Sequence, residues 1–460
     1  MDKNIQGLLT RGVQDIIGQE DLEKKLESGQ KMKIYIGADP NRPDIHIGHA
    51  VALRTLKKFQ DLGHEIIFLI GDFTAQIGDP TGKDEMRQQL SPNEVKKNAQ
   101  SYKDQISKIL NFKGSNKAVI KYNSKWNKKL KFQDLIELAS NFTVQQFLGR
   151  DMYQERIRSQ NAFFVPDKEG KVNDKGEKQG EIFCKCENCA KDVFIMLATE
   201  ESYQTATFNN CEVVCDKCKN KMIFNKKPIY LHEFFYPLMQ AYDSVVMDVD
   251  MEVGGNDQLF NMLAGRTLMQ KLKKKNKIVM TFDILEGTDG RKMSKSYDNY
   301  IGVSDEANDM FGKLMSIKDE LIIKYFTLCT DVSLEEIKEM EGQIKQGTNP
   351  RDLKAKLARE IVKIYHNEEK AQKAEEEFNK VFQDKGKPSD IETVSIEKDM
   401  EIIEVITKFN LVVSNSEARR MIDQNAVTVN DEKVKDYNFQ IKKGQEYMIQ
   451  VGKRRFIKLT

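Results

Sequence analysis

No apolar run in the 460 residues approaches the ~20 that cross a bilayer as a helix, so the sequence offers no membrane span. The opening residues, MDKNIQGLLTRG, lack a basic stretch followed by an apolar core. No export signal is therefore read there, and the expected location is cytoplasmic. Charge of one sign is lacking too. Seventy-three Lys and Arg against 71 Asp and Glu leave a net charge of +2, which argues neither for nor against a nucleic-acid partner. Basicity is local instead, at Lys271 to Lys277 (KLKKKNK) and at Lys453-Arg454-Arg455. No P-loop is found at Gly78 to Lys83 (GDPTGK), which does not fit GxxxxGK[ST]. Hydrophobic residues at 39% and charged residues at 31% are a soluble, globular balance, and the length suffices for about three domains.

Cysteine is scarce outside one short stretch. Six of the seven fall between Cys184 and Cys218. Clustering in a chain without an export signal points to metal rather than disulfides. The CxxC pairs Cys186/Cys189 and Cys215/Cys218 have the knuckle form that places four thiolates tetrahedrally around Zn²⁺. Iron in the same four-thiolate set is the alternative, and Cys184 and Cys211 compete as ligands. A closed shell of four cysteines leaves no open coordination position, so the metal would be structural. Asp167 to Gly180 is polar and glycine-dotted, and residues 161–227 are read as a zinc-ribbon-like insertion that metal must stabilise. Cys329 stands alone and is expected to be a packed thiol.

The chain is organised around Ile34 to His49, IYIGADPNRPDIHIGH. An apolar strand, Ile34-Tyr35-Ile36, breaks at Gly37. Asp39 follows, then turns at Pro40 and Pro43. A helical pattern with Val51, Leu53, Leu56 and Phe59 starts after His49. Strand, glycine turn and helix start are the geometry that holds a nucleotide phosphate. His46 and His49 point the same way on the first turn, unless they merely cap it, and Gly48 lets a flat base or sugar approach the backbone.

Residues 1–32 read as polar and helical. Ile66 to Ile70 reads as a strand buried on both faces of a parallel sheet, Ala118 to Tyr122 as a short strand, and 132–160 as helix. In PIYLHEFFYPLMQAYDSVVM, Tyr236, Gln240 and Asp243 recur at i, i+4 and i+7. A polar stripe at core spacing lines a pocket or forms a buried network. Far down the chain, Lys292-Met293-Ser294-Lys295-Ser296 follows Gly287, Asp289 and Gly290. A glycine-flanked loop with two lysines suits clamping a triphosphate. Residues 306–385 read as a helical domain, 386–400 as a linker, and 401–460 as a small α+β module with basic character from Arg419, Arg420, Lys453 and Arg454.

The HIGH and KMSKS stretches in this order resemble the class I aminoacyl-tRNA synthetases. With YIGADP, FTAQIGDPTGK, FFYPLMQAYDS and VGGNDQ, the resemblance is to the bacterial-type tyrosyl-tRNA synthetases and covers nearly the whole chain except the insertion. It implies an α/β fold: a Rossmann-like parallel sheet in a catalytic domain over 1–305, the helical domain for the anticodon arm, and a C-terminal RNA-binding module. It implies tyrosine activation with ATP and Mg²⁺, transfer to tRNA(Tyr), and a homodimer.

Carried residue by residue, Asp243 and Tyr35 would meet the substrate phenol. Asp79, Tyr236 and Gln240 would hold its ammonium, Gln258 would lie beside its carboxylate, and Asp39 would orient the reacting groups. Gly37, Gly48, Gly255 and Asp257 would take the adenosine, with His46, His49, Lys292 and Lys295 on the triphosphate. Arg419, Arg420, Lys453 and Arg454 would touch RNA. A tryptophan-specific synthetase and a non-charging RNA-binding paralogue are the competing readings.

Overall fold

The computed structural model describes residues 3–41, 43–79, 91–150, 153–154, 156, 162–167, 171–174, 176, 178–185, 189, 191–199, 208–219, 221–226, 229–294, 297–382, 391, 393–412, 414–452 and 455–460. They form two compact units. One holds residues 1–305 and 316–357; the other holds 306–315 and 358–460. The stretch expected as one helical domain is thus divided between them.

The first unit is built on a six-stranded sheet. Its strands are β1 (Val13–Ile17), β2 (Lys33–Ala38), β3 (Glu65–Ile70), β4 (Val119–Tyr122) and, after five strands of the insertion, β10 (Met251–Gly255) and β11 (Ile278–Phe282). The order is β1-β11-β10-β2-β3-β4. All neighbours run parallel except β1, which lies antiparallel on β11 with Val13 opposite Phe282 and Ile17 opposite Val279. From β2 the chain steps outward through β3 to β4, and β10 and β11 fill the other side. The crevice beside β2 and β10 is therefore the switch point where α/β sheets hold ligands. Ile66 to Ile70 are all buried, as a strand covered on both faces requires.

β1 corrects the reading of residues 1–32 as helical throughout. Helices Lys3–Thr10 and Gln19–Glu27 flank it. Five residues carry too weak a period to announce a strand, and the open edge of β11 decides the outcome. Residues 132–160 also divide. Helices Phe132–Ala139 and Val144–Leu148 are separated by a break at which Thr143 caps the second, accepting from the Gln146 backbone N–H.

In the insertion, β5 (Ala162–Pro166), β6 (Gln179–Lys185) and β7 (Asp192–Thr199) make an antiparallel sheet. β8 (Phe208–Val214) and β9 (Lys221–Lys226) make a hairpin. Ile182 and Val193 are buried there, while Phe194 and Met196 are exposed.

The second unit packs helix Ala307–Met315 on helix Glu368–Phe382, with Phe311 and Phe378 ring centroids 5.5 Å apart. Its C-terminal part sets helices Ile402–Lys408 and Asn415–Asp423 beside strands Val427–Val429, Tyr447–Val451 and Arg455–Leu459. Ile402, Ile406, Ile422, Val427, Ile449 and Ile457 are in its core. No helix among the described residues is long and apolar enough to cross a membrane.

Candidate active site

Backbone pairing brings the two motifs together. Ile47 N–H donates to the Ile301 carbonyl (2.9 Å) and Val303 N–H to the Ile45 carbonyl (3.0 Å), so the HIGH stretch lies against the chain leaving the lysine loop. Helix Ile47–Asp61 starts at once, with His46 as its N-cap. The His46 and His49 rings stack with centroids 3.7 Å apart. A Cβ at Gly48 would stand 3.0 Å from His46 Nδ1, crowding that ring. Helix Pro92–Ile106 clamps the preceding loop: Asn98 donates to the Pro40 carbonyl (2.8 Å) and Gln105 to that of Pro43 (2.7 Å).

The polar stripe of helix Phe235–Met247 faces the ends of β2 and β3. Tyr236 donates to Asp39 Oδ2 (2.9 Å), and Thr74 to Asp39 Oδ1 (2.7 Å). Asp79 accepts from Gln258 (2.7 Å), whose own amide oxygen accepts from Asn261 (3.1 Å). Asp243 is 2% exposed and accepts from Trp126 Nε1 (2.7 Å), Asn127 (3.2 Å) and Asn123 (3.2 Å). Burial pushes its carboxyl up to about 7, against those three donors, which hold it down. Asn123 also donates to Thr74 (3.0 Å). One chain of hydrogen bonds thus runs from Asp243 through Asn123 and Thr74 to Asp39 and Tyr236.

Sequence reasoning missed Asn123, Trp126 and Asn127. They follow β4, and the signal available was a lone tryptophan among polar residues just past a strand's carboxyl end. It also missed the groups beneath Gln240 and Tyr35. Gln240 donates to Glu252 (3.2 Å), and Glu252 forms a fully buried ion pair with Lys277. The ring of Tyr35 is itself fully buried, with its hydroxyl on Ser244 Oγ (2.8 Å) rather than on Asp243. Burial, reinforced by Glu252, raises the Tyr35 phenol well above its ordinary value.

The lysine loop is a hairpin. Met293 N–H donates to the Leu285 carbonyl (3.1 Å), and the turn is made at Gly290 with φ +85°. Asn299 organises it, donating to Asp289 (2.7 Å) and accepting from the Ser294 N–H (2.8 Å). Hydrogen bonds from Asn299 and from the Arg291 backbone hold Asp289 down to about 2. Lys292 reaches across to Asp257 (2.8 Å). A Cβ on Gly255 would sit 2.7 Å from Asp257 Oδ1. Gly37 is exposed near the C-terminal end of β2. Lys295 lies outside the described residues.

Cys189, Cys215 and Cys218 present sulfurs all within 4.8 Å of one another, with Cys189 and Cys215 3.7 Å apart. Four thiolates at ~2.3 Å from a tetrahedral zinc are about 3.8 Å apart, so the cluster fits that ion. Cys186 lies outside the described residues; Cys184 and Cys211 fall in β6 and β8. Cys329 is buried, and burial pushes its thiol up to about 12, as a packed, unreactive cysteine requires. Arg419 and Arg420 are exposed on helix Asn415–Asp423, while Lys453 and Arg454 lie outside the described residues.

Comparison with known proteins adds an independent line. The family described as "tRNA synthetases class I (W and Y)" matches residues 27–166 and 205–383, and the gap falls in the cysteine-bearing insertion. A second family, "Tyrosine--tRNA ligase SYY-like C-terminal domain", matches residues 377–458. Tyrosine–tRNA ligase 2 of Clostridium acetobutylicum is 41% identical over 100% of this chain and 98% of its own length. The tyrosine–tRNA ligase of Thermotoga maritima is 39% identical over 98% and 96%. A C-terminally truncated mitochondrial tyrosyl-tRNA synthetase from Aspergillus nidulans has a similar fold, with TM-score 0.56 at 20% identity over 83% of this chain and 95% of that one.

Proposed function

This chain belongs to the class I tRNA synthetases, in the branch of the tryptophan and tyrosine enzymes, and from that membership we propose a division of labour among its residues. Its activity is that of a tyrosine–tRNA ligase: ATP, with Mg²⁺, activates tyrosine, and the tyrosyl group passes to tRNA. We place this work in the cytoplasm.

The observation that carries the residue assignment is the buried carboxylate of Asp243 at the foot of the Tyr236–Gln240–Asp243 stripe, fed by three donors. An ionised carboxylate only accepts, so it suits a phenol O–H, and an analogue without the hydroxyl leaves it unpaired. Tyr236, Gln240 and Asp79 take the substrate ammonium, with Gln258 beside the carboxylate and Asp39 orienting both. Gly37, Gly48, Gly255 and Asp257 hold adenosine. The substrate carboxylate attacks the α-phosphorus in line and pyrophosphate leaves. His46, His49, Lys292 and Lys295 stabilise the charge on the departing oxygens. No protein nucleophile is required.

Tyr35 acts at second hand, through Ser244, in the arrangement seen here. Zn²⁺ on Cys189, Cys215, Cys218 and Cys186 holds the insertion together. Helices of 306–385 and the module 401–460, with Arg419, Arg420, Lys453 and Arg454, take the tRNA. The chain works as a homodimer. In support, Phe132 (79% exposed) and Ile136 (54%) stand one turn apart on one helix and offer an uncovered apolar face for a second copy.

Tyrosine-dependent ATP–pyrophosphate exchange, with phenylalanine and tryptophan as controls, tests the assignment. Exchange with tyrosine alone, lost in Asp243→Ala, is expected. An Asp243→Ala protein as active and as selective as the parent overturns it.

A further inference from the structure

A lysine with no exposure lies under the catalytic sheet. Lys277, at the edge of β11, is 0% exposed, forms an ion pair with Glu252 Oε2 and donates to Ser244 Oγ (3.0 Å). The fold makes room for it. A Cβ on Gly265 would fall 2.4 Å from Lys277 Nζ and 2.9 Å from Ser244 Oγ. Burying this pair costs free energy that hydrophobic residues of like volume would spare, so its presence calls for a use.

The use is written in the partners. Glu252 spends its second oxygen on the Gln240 side-chain N–H (3.2 Å), and Ser244 touches the Tyr35 hydroxyl (2.8 Å). Gln240 and Ser244 are four residues apart on helix Phe235–Met247, with Asp243 between them. The buried pair thus reaches both ends of the tyrosine pocket from below.

We propose that Glu252 and Lys277 are positioning residues that set the polarity of Gln240. A glutamine amide has a donor end and an acceptor end of nearly equal shape. An ionised Glu252 accepts only, so it takes the NH₂ end and leaves the Gln240 carbonyl oxygen to accept from the substrate ammonium. Lys277 holds the Glu252 carboxylate in place through the buried ion pair, with its other oxygen turned to Gln240. A neutral group at position 252 frees the amide to turn over and aim its NH₂ at the ammonium, where it repels. This rests on the reading above that Gln240 contacts the substrate amine.

The test is steady-state exchange by the full-length chain and by Glu252→Gln, with the desamino analogue of tyrosine as a competitive inhibitor. Glu252→Gln should raise KM for tyrosine by about 10- to 100-fold, the worth of one charge-assisted hydrogen bond, with KM for ATP unchanged. The inhibition constant of the desamino analogue, which has no ammonium to recognise, should stay at the parental value. A general loosening of the pocket would weaken both ligands alike, and that result overturns the proposal, as does an unchanged KM for tyrosine. On a Gln240→Ala background Glu252→Gln should add nothing; full additivity overturns it. If Gln240→Ala alone leaves tyrosine binding intact, the ammonium assignment fails instead, which separates the two failures. Should Glu252→Gln not fold, Glu252→Asp, which keeps the charge but withdraws it by one methylene, is expected to show the same split between tyrosine and its desamino analogue.

Discussion

Lys292 of the loop hairpin and Asp257 beyond β10 hold each other across the site, Nζ to Oδ2 at 2.8 Å. Both side chains are solvent-accessible, so the pair contributes little to stability. Its interest is that the proposed function gives each partner a different part of ATP, Asp257 the adenosine and Lys292 the phosphates. On that proposal, ATP binding should replace the pair with two separate contacts. Lys292→Ala is expected to leave the melting temperature unchanged and to lower kcat for exchange about 100-fold, with KM for tyrosine unaltered. An unchanged kcat would remove Lys292 from the catalytic set.

Asp243 makes the protein pH-dependent in two opposed ways. Its carboxyl lies at about 7 in the fold, above its ordinary value of 3.8. A raised folded pKa contributes stability that is full below the unfolded value and is lost as pH rises through the folded one. Through this group the substrate-free protein should lose stability between about pH 4 and about pH 7. Tyrosine binding should run the other way, because on the proposed assignment the phenol donates to the ionised form. KM for tyrosine should fall from about pH 6 to about pH 8, and Asp243→Asn should abolish that trend. A parental KM that is flat across this range would contradict the phenol contact.

Gly71 sets the position of Asp39. A Cβ there would lie 2.0 Å from Asp39 Oδ1 and 2.4 Å from Thr74 Oγ1. Neither group can yield without breaking the hydrogen bonds that tie Asp39 to Thr74 and Tyr236. Gly71→Ala is expected to depress kcat/KM for tyrosine by about 100-fold or more, measured by exchange on protein whose circular dichroism matches the parent. Parental kcat/KM would show that Asp39 is not held by this fit.

Arg156 and Glu233 form a two-pronged pair at 2.6 and 2.8 Å, with side chains 16% and 8% exposed. Glu233 also accepts from the Tyr230 N–H (2.9 Å), closing the turn before helix Phe235–Met247. Arg156→Met should cost about 3–5 kcal/mol in urea unfolding, because it strands a buried carboxylate. The double variant Arg156→Met with Glu233→Leu should recover most of that loss. Equal losses in the single and double variants would show that packing, not charge, is what the pair supplies.

The sulfur cluster gives the insertion a measurable property. Purified protein should carry zinc by elemental analysis, and Cys215→Ser should lose it. The metal-free insertion should then be cut by protease, while tyrosine exchange persists. Metal-free parental protein after growth with ample zinc would rule the site out.

The sequence by itself determined the local structure around the motifs, though not the strand Val13–Ile17 or the break inside 132–160. Strand, turn and helix at 34–49 follow from apolar order and glycine placement, and the Tyr236, Gln240 and Asp243 stripe follows from the helical period. The glycine-flanked lysine loop is legible for the same reason, as is the clustering of cysteines. What surrounds those residues was settled only by the tertiary structure. Trp126 and Asn127 reach Asp243 across separations of 117 and 116 residues, and Lys277 finds Glu252 across 25. No short-range period encodes such meetings. They arise because parallel strands end side by side, so loops far apart in the chain share one crevice, and because a buried polar group must be satisfied by whatever neighbour the fold supplies. β1 became a strand for a related reason: the unpaired edge of β11 offered its backbone partners, and five residues of weak pattern took them.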